Sequence, residues 1–166
     1  MALALSGARI FDGAHLLAGR AVIIDADRIA AVVAERDLPA GIRVRRVEGL
    51  LAPGFIDVQV NGGGGVLFND ARSVAGIAAI GAAHRKHGTT GFLPTLITDT
   101  RAVMAEAAAA AKAAIAEGVP GVLGIHLEGP FLNPERKGVH DARLMRAIEE
   151  EDIAIATSLA GGRTVI

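Results

Sequence analysis

The pattern of hydrophobic and polar positions changes character near residue 51. Before that point, short apolar runs such as 21–24 and 29–33 flank polar turns such as 25–28, which is typical of hairpins. After it, apolar strands are followed by glycine-rich or polar loops and then by long alanine-rich helices, the pattern of βα units. The sequence therefore predicts a β domain over residues 1–50 and a series of βα units over residues 51–166.

The βα segment contains strands and helices in regular alternation. In chain order, the pattern predicts a strand at 54–60, a glycine loop at 61–65, a helix at 73–87, a strand at 91–97, a helix that ends before 118, a strand at 122–127, a helix at 143–152 and the start of a strand at 164–166. Gly88 is expected to end the first helix, and Thr98 or Asp99 to cap the second. Three or four βα units are less than half of an eight-stranded barrel, which needs about 250 residues. The predicted fold is therefore α/β, an incomplete (β/α)8 barrel.

Composition narrows the classes of partner. The 166 residues are 51% hydrophobic, enough for an ordinary core, and 17 Lys and Arg balance 18 Asp and Glu. This balance argues against nucleic acid and anionic membrane surfaces as partners. The chain has no Cys, so any metal ligands must be histidines and carboxylates. Without a basic leader or an apolar run of about 20 residues, we expect a cytoplasmic protein.

Polar side chains recur along the first strand of the βα segment. Asp57, Gln59 and Asn61 are spaced by two and therefore share one side of the strand. In a barrel, the carboxyl ends of the strands form the active face, which makes Gln59 and Asn61 the candidates for lining a site. The alternative is that they only satisfy backbone groups of the following loop.

The end of the third strand combines a histidine and a carboxylate. His126 and Glu128 share a face, and Glu128 lies at the strand tip. A metal ion would stabilise a carboxylate there, with His126 as a supporting hydrogen-bonding group, whereas the alternative is a salt bridge from Glu128 to Arg136 or Lys137. His140, on the same rim, could bind a carbonyl or hydroxyl, although most loop histidines are simply solvated. The residues alone leave these alternatives open.

Two further histidines lie on the first predicted helix. His84 and His87 have a spacing found in metal pairs. However, this helix is expected to pack on the outside of a barrel, so solvated or helix-capping roles are favoured. Aromatic residues make up only 3% of the chain, with no Trp or Tyr, so stacking platforms for bases or sugar rings are not expected.

Three segments together resemble a known family. They are Leu-Ala-Pro-Gly-Phe-Ile-Asp-Val-Gln-Val-Asn-Gly at 51–62, Gly-Thr-Thr-Gly-Phe-Leu-Pro-Thr-Leu-Ile-Thr at 88–98 and Gly-Ile-His-Leu-Glu-Gly-Pro-Phe-Leu-Asn at 124–133. Pro-Gly-Phe-Ile-Asp is shared widely in the amidohydrolase superfamily. His-Leu-Glu-Gly-Pro-Phe-Leu-Asn followed by Lys-Gly-Val-His is much more specific, and resembles the N-acetylglucosamine-6-phosphate deacetylases. The resemblance runs through essentially the whole chain.

The resemblance implies a deformed (β/α)8 barrel joined to a small β-sandwich, whose first strands would be residues 1–50. It also implies a divalent metal, commonly zinc (Zn2+). Many superfamily members have His-x-His where this chain has Gln-Val-Asn at 59–61, a version associated with one main metal site. By position in the family motif, Glu128 would be a metal ligand, while Val139 and His140 would contact substrate, with His140 near the acetamide carbonyl.

The implied activity is metal-dependent hydrolysis of N-acetylglucosamine 6-phosphate to glucosamine 6-phosphate and acetate, by a homo-oligomer, a dimer in the complete family protein. The family's catalytic Asp, its other metal-binding histidines and most phosphate contacts would lie beyond Ile166. We therefore expect no catalytic residue within this chain and negligible activity from it alone. One alternative is a different amidohydrolase, acting on a cyclic amide or another acylated amine. Another is a non-catalytic module whose half-barrel pairs with a second copy.

Overall fold

Two units, Met1–Pro53 and Gly54–Ile166, make up the fold in the computed structural model of the chain, which describes residues 2–159 and 161–166. The first unit consists of strands and one short 3-10 turn, and the second alternates strands with helices, so the fold is mixed α/β. Within the described residues, no helix has the length and apolar character needed to cross a bilayer.

The described residues of the first unit form seven strands in two sheets. The strands are β1 (Leu3–Ser6), β2 (Arg9–Phe11), β3 (Leu16–Leu17), β4 (Arg20–Asp25), β5 (Arg28–Ala34), β6 (Arg43–Arg46) and β7 (Leu50–Leu51). The larger sheet has the order β5-β4-β1-β6 and the smaller one β3-β2-β7. The predicted hairpin is confirmed as the antiparallel pair β4 and β5. Few apolar side chains are buried in this unit, mainly Ala4, Ile10, Ala21 and Val22.

The second unit is built on a parallel sheet in the order β13-β12-β11-β8. Its elements are β8 (Phe55–Val60), β9 (Gly62–Gly63), β10 (Val66–Leu67), α1 (Val74–Arg85), β11 (Thr89–Ile97), α2 (Arg101–Ala116), β12 (Gly124–Glu128), α3 (Glu150–Ala156) and β13 (Arg163–Val165). Parallel neighbours require a crossover, and each helix supplies one. The predicted strand and helix alternation is confirmed, and the carboxyl ends of the four strands meet at one edge of the sheet.

Small side chains allow α1 and α2 to pack closely on this sheet. Strand β11 is buried along most of its length, and α2 turns Met104 and five alanines towards the core. On α1, a Cβ added at Gly81 would come within 2.7 Å of the Phe92 ring, so the helix approaches the strand at a glycine. Because alanine has the highest helix propensity and little volume, α2 can form readily and still pack closely.

Two predictions about helix and loop boundaries are wrong. Thr100, rather than Thr98 or Asp99, caps α2, since its side chain accepts a hydrogen bond from the backbone N–H of Val103. The glycine segment after Asn61 is not an irregular loop, because β9 and β10 pair as a short antiparallel hairpin. Both differences depend on local hydrogen bonds that the sequence pattern did not resolve.

The helix predicted at 143–152 is also displaced. Only a 3-10 turn forms at Ala142–Leu144, and α3 begins at Glu150. The Asp152 carboxylate accepts a hydrogen bond from the Glu149 backbone N–H at 3.0 Å, and the Glu149 side chain completes this capping box. A capping box marks the first turn of a helix, so Asp152 lies near the start of α3 rather than at its end.

Candidate functional site

Three distant parts of the chain meet around the carboxylate of Glu128. Glu128 ends β12, Asn61 follows β8, and His140 lies in the segment after β12. The Asn61 side-chain amide donates to Glu128 Oε2 at 3.3 Å, and His140 Nε2 lies 3.6 Å from Glu128 Oε1. The structure thus brings three of the candidate site residues together at the carboxyl edge of the parallel sheet, where ligand sites of α/β folds are found.

Glu128 is partly buried, with 29% of its side chain exposed. Among the described residues, the imidazole of His140 is the basic side chain that lies beside Glu128, and neither Arg136 nor Lys137 forms an ion pair with it. The alternative in which Glu128 is simply a partner of these two cations is therefore wrong. Its two carboxylate oxygens instead face the Asn61 amide and the His140 ring. These three residues are called the strand-end cluster.

Thr98 is a member of the cluster that sequence reasoning missed. It follows β11, is buried, and places Oγ1 2.8 Å from His140 Nδ1 and 3.4 Å from the backbone carbonyl of Glu128. His140 is only 8% exposed, so the alternative of a solvated loop histidine is wrong. One signal could have identified Thr98: it directly follows a strand, at the same edge as Asn61 and Glu128.

His126 forms a second threonine–histidine pair deeper in the sheet. Thr95 Oγ1 lies 3.2 Å from His126 Nδ1 and accepts a hydrogen bond from the Val60 backbone N–H at 2.8 Å. Burial lowers the pKa of His126 below its ordinary value, and the negative charge of Glu128 opposes this shift. A neutral imidazole fits a hydrogen-bonding role that links β8, β11 and β12.

Two other candidate residues lie at the surface. Gln59, on β8, is exposed, and its backbone N–H donates to Asp57 Oδ1 at 3.1 Å. Val139 adjoins His140 in sequence, yet it is 88% exposed. Within the described residues, the Gln59 side chain forms no hydrogen bond to the cluster, and the exposed side chain of Val139 is apolar. Their predicted roles in lining the site and binding substrate stay predictions.

His84 anchors the hairpin that follows Asn61. Its Nε2 lies 2.9 Å from the backbone carbonyl of Gly62, and since a carbonyl only accepts, Nε2 must carry the proton. A Cβ added at Gly63 would come within 2.8 Å of the His84 ring, so the glycine permits this contact. The prediction that His84 is solvated or caps its helix is wrong, and the histidine instead holds the segment next to the site.

The fit of a metal ion to these residues is incomplete. Protein zinc sites use about three or four side-chain ligands. Across residues 2–159 and 161–166, no group of three or more His, Asp or Glu side chains is arranged to hold a metal. Glu128 supplies one carboxylate that could bind a metal, at the carboxyl edge of the sheet, but the described residues do not complete a metal site.

Two family profiles match the chain. The amidohydrolase family profile matches residues 50–165, and that of the NagA composite domain matches residues 3–51. The two matched segments meet at residues 50–51, close to the boundary between the two units at Pro53.

Several named proteins are similar to this chain. N-acetylgalactosamine-6-phosphate deacetylase of Shewanella sp. (strain ANA-3) is 46% identical over 108 residues, covering 65% of this chain and 27% of that protein. N-acetylglucosamine-6-phosphate deacetylase of Haemophilus influenzae is 38% identical over 152 residues, covering 91% of this chain and 40% of that protein.

Solved structures give the same comparison at the level of the fold. The crystal structure of N-acetylglucosamine-6-phosphate deacetylase from Pasteurella multocida superimposes with a TM-score of 0.90 at 34% sequence identity, over 98% of this chain and 43% of that one. The matched part of this chain therefore covers 27% to 43% of the length of these proteins.

Proposed function

The chain belongs to the amidohydrolase family, and from this premise we propose that it is part of an enzyme that hydrolyses the acetamide of N-acetylglucosamine 6-phosphate to glucosamine 6-phosphate and acetate. The observation that carries the proposal is the Glu128 carboxylate between Asn61 and His140, at the carboxyl ends of parallel strands. A carboxylate and hydrogen-bond donors grouped at that edge suit the hydrolysis of an amide.

The fold supports a larger assembly. We propose that the parallel strands are the first strands of a (β/α)8 barrel and that the first unit contributes to a small β-sandwich. Strand β8 lies at one edge of its sheet, and Phe55, Ile56 and Val58 on it are 68%, 65% and 56% exposed. A further strand beside β8 would bury such apolar side chains, as closure of a barrel does.

Each candidate residue has a proposed role. Glu128 would be one ligand of a divalent metal, commonly zinc, whose other ligands would come from residues other than those described here. His140 would hydrogen bond the acetamide carbonyl, and Asn61 would hold the Glu128 carboxylate in place through its amide. Val139 would contact the sugar phosphate, with Gln59 and His126 lining the site. Hydrolysis of an amide develops negative charge on the carbonyl oxygen, so a fixed donor such as His140 stabilises the transition state.

A chimera provides the test. In it, this chain replaces the matched segment of the Haemophilus influenzae relative, and release of acetate from N-acetylglucosamine 6-phosphate is measured with added Zn2+. We expect activity in the chimera, none in the isolated chain, and a loss of at least about 100-fold in Glu128→Gln, because a metal ligand is removed. Glu135→Gln, at an exposed carboxylate seven residues along, is the matched control and should retain full activity. Full activity in Glu128→Gln, or a folded chimera without activity, would contradict the proposal.

A second substrate is supported by the Shewanella relative, which is named for N-acetylgalactosamine 6-phosphate. The two sugars differ only in the orientation of one hydroxyl group, so side-by-side kcat/KM values in the chimera decide between them. Hydrolysis of cyclic amides alone would instead favour a different amidohydrolase. A stable oligomer of the isolated chain that takes up no metal would favour a non-catalytic module.

A further inference from the structure

Thr98 and His140 form a buried pair next to the Glu128 carboxylate. Thr98 is 6% exposed and His140 8% exposed, and the hydroxyl lies 2.8 Å from Nδ1 of the imidazole. The other ring nitrogen, Nε2, is the one that faces Glu128 Oε1, at 3.6 Å. The two nitrogens of His140 therefore have different neighbours, and the neutral ring can place its proton on only one of them.

The position of the protons follows from counting donors and acceptors. If Nδ1 carried the proton, it would donate to Thr98 Oγ1, and the lone pair of Nε2 would face the negatively charged Glu128 carboxylate. If Thr98 donates to Nδ1 instead, Nε2 carries the proton and its N–H faces that carboxylate, which is electrostatically favourable. The competing acceptor for the Thr98 hydroxyl, the Glu128 backbone carbonyl, is more distant at 3.4 Å. The second arrangement satisfies each group better.

We propose that Thr98 is a positioning residue that fixes neutral His140 as its Nε2–H tautomer, with that N–H facing the Glu128 carboxylate. The inference deepens the proposed function and rests on it for its catalytic meaning, since an Nε2–H donor is what binding of the acetamide carbonyl requires. The other tautomer would present a lone pair to the carbonyl oxygen and repel it.

The surroundings keep this pair in place. Thr98 directly follows Ile97, whose backbone is in register with Glu128 in the parallel sheet, so the hydroxyl is tied to the strand-end geometry. A Cβ added at Gly129 would overlap the Thr98 hydroxyl, and only a glycine fits there. The His140 backbone N–H donates to the Lys137 carbonyl at 3.0 Å, which fixes the segment that carries the ring.

The chain contains a matched control for this pair. Thr95, on β11, repeats the same contact with His126, from the hydroxyl to the same ring nitrogen, at 3.2 Å. Loss of the Thr95 hydroxyl should change the tautomer populations of His126 but leave those of His140 unchanged. This comparison separates a local hydrogen bond from a general disturbance of the sheet.

The test measures ring nitrogen shifts of His140 by long-range 1H–15N NMR in the full 166-residue chain. The sample is treated with a chelator, and the pH is raised until the ring nitrogen shifts of His140 no longer change, so that the tautomer of the neutral ring is observed. We expect the Nε2–H pattern in the wild-type chain and in Thr98→Ser, which keeps the hydroxyl. Thr98→Val should give a mixture of tautomers at His140, and Thr95→Val should not.

Two results would overturn the inference: an Nδ1–H pattern for His140 in the wild-type chain, or an unchanged Nε2–H pattern in a folded Thr98→Val variant. If Thr98→Val does not fold, the wild-type pattern and that of Thr98→Ala decide. In the chimera, Thr98→Val should lower kcat about 10-fold or more with little change in KM, and Thr98→Ser should restore it. An inactive chimera contradicts the proposed function, whereas the NMR result alone decides the role of Thr98.

Discussion

Asp152 lies at the centre of a charged cluster that fixes α3 to the start of α2. Its side chain is fully buried and accepts hydrogen bonds from Arg101 Nε at 2.9 Å and from Arg146 Nη1 at 2.5 Å. Hydrogen bonds from Arg101 hold the pKa of Asp152 well below its usual range, those from Arg146 and the Glu149 backbone add to the effect, and burial opposes it. Removing one partner of such a buried pair is strongly destabilising, because the remaining charge loses its compensation.

Removal of this carboxylate is expected to destabilise the protein. Asp152→Ala removes the carboxylate that Arg101 and Arg146 share and leaves Arg101 with Glu149 as its ion-pair partner. We predict a decrease in the free energy of unfolding of about 3 kcal/mol, measured by urea denaturation at pH 7. Glu151→Ala is the matched control, because this exposed neighbour in the same helical turn should contribute less than about 1 kcal/mol.

The difference between the wild type and Asp152→Ala should depend on pH in a defined direction. The folded-state pKa of Asp152 lies below the unfolded value of about 3.9, so the stabilisation is complete above that value and is lost as the pH falls towards the folded-state pKa. The two denaturation curves should therefore converge in acid. A difference that stays constant down to about pH 2, or no difference at pH 7, would contradict the role assigned to this carboxylate.

At the scale of elements, α2 shows how small residues position a helix on the sheet. Met104, Ala107, Ala108 and Ala111 are buried at the spacing of one helical face, whereas Ala105 and Ala109 are exposed. The alanine content predicts a helix, but within the five consecutive alanines at 107–111 the residue type does not reveal which positions face the core. Packing against the sheet decides that orientation.

A pair of leucine substitutions tests the packing of α2. Ala111→Leu adds a large side chain at a position with no exposed surface, and we predict a loss of about 1–3 kcal/mol of unfolding free energy from overpacking. Ala109→Leu, two residues away on the exposed side, should change it by no more than about 0.5 kcal/mol. Equal effects in chemical denaturation would show that α2 does not pack as described.

At the scale of the whole molecule, the two units differ in how much apolar surface they bury. Strand β11 has six consecutive buried residues, and the second unit contains a cluster of buried side chains that joins its strands and helices. Exposed apolar residues in the first unit include Ile29 at 70% and Val44 at 47%. Local stability follows buried apolar contacts, so the second unit should be the more stable of the two.

Amide hydrogen exchange can measure this difference. We predict that the backbone amides of β11 exchange slowest and that those of the first unit, including β1 and β4, exchange at least about 10-fold faster under native conditions. Equal protection in the two units would contradict the prediction and indicate that they unfold together.

The sequence by itself determined the order of strands and helices in the second unit, since periodicity and glycine positions report local backbone preference. It also placed Asn61 and Glu128 at one edge, because the carboxyl ends of parallel strands meet at the same edge, and His140 in the segment that leaves that edge. The motifs that resemble the deacetylase family contain the same three residues. These features depend on neighbours in the chain or on a general rule of parallel sheets.

Only the tertiary structure decided which side chain faces which. Thr98 meets His140 across 42 residues of sequence, and Arg101 meets Asp152 across 51. His84 reaches the carbonyl of Gly62 from a helix that sequence reasoning assigned to the outside. Such contacts arise from the relative placement of packed elements, and hydrogen bonds act over about 3 Å, so no periodicity along the chain encodes them. The start of α3 and the proposed tautomer of His140 depend on these long-range pairs.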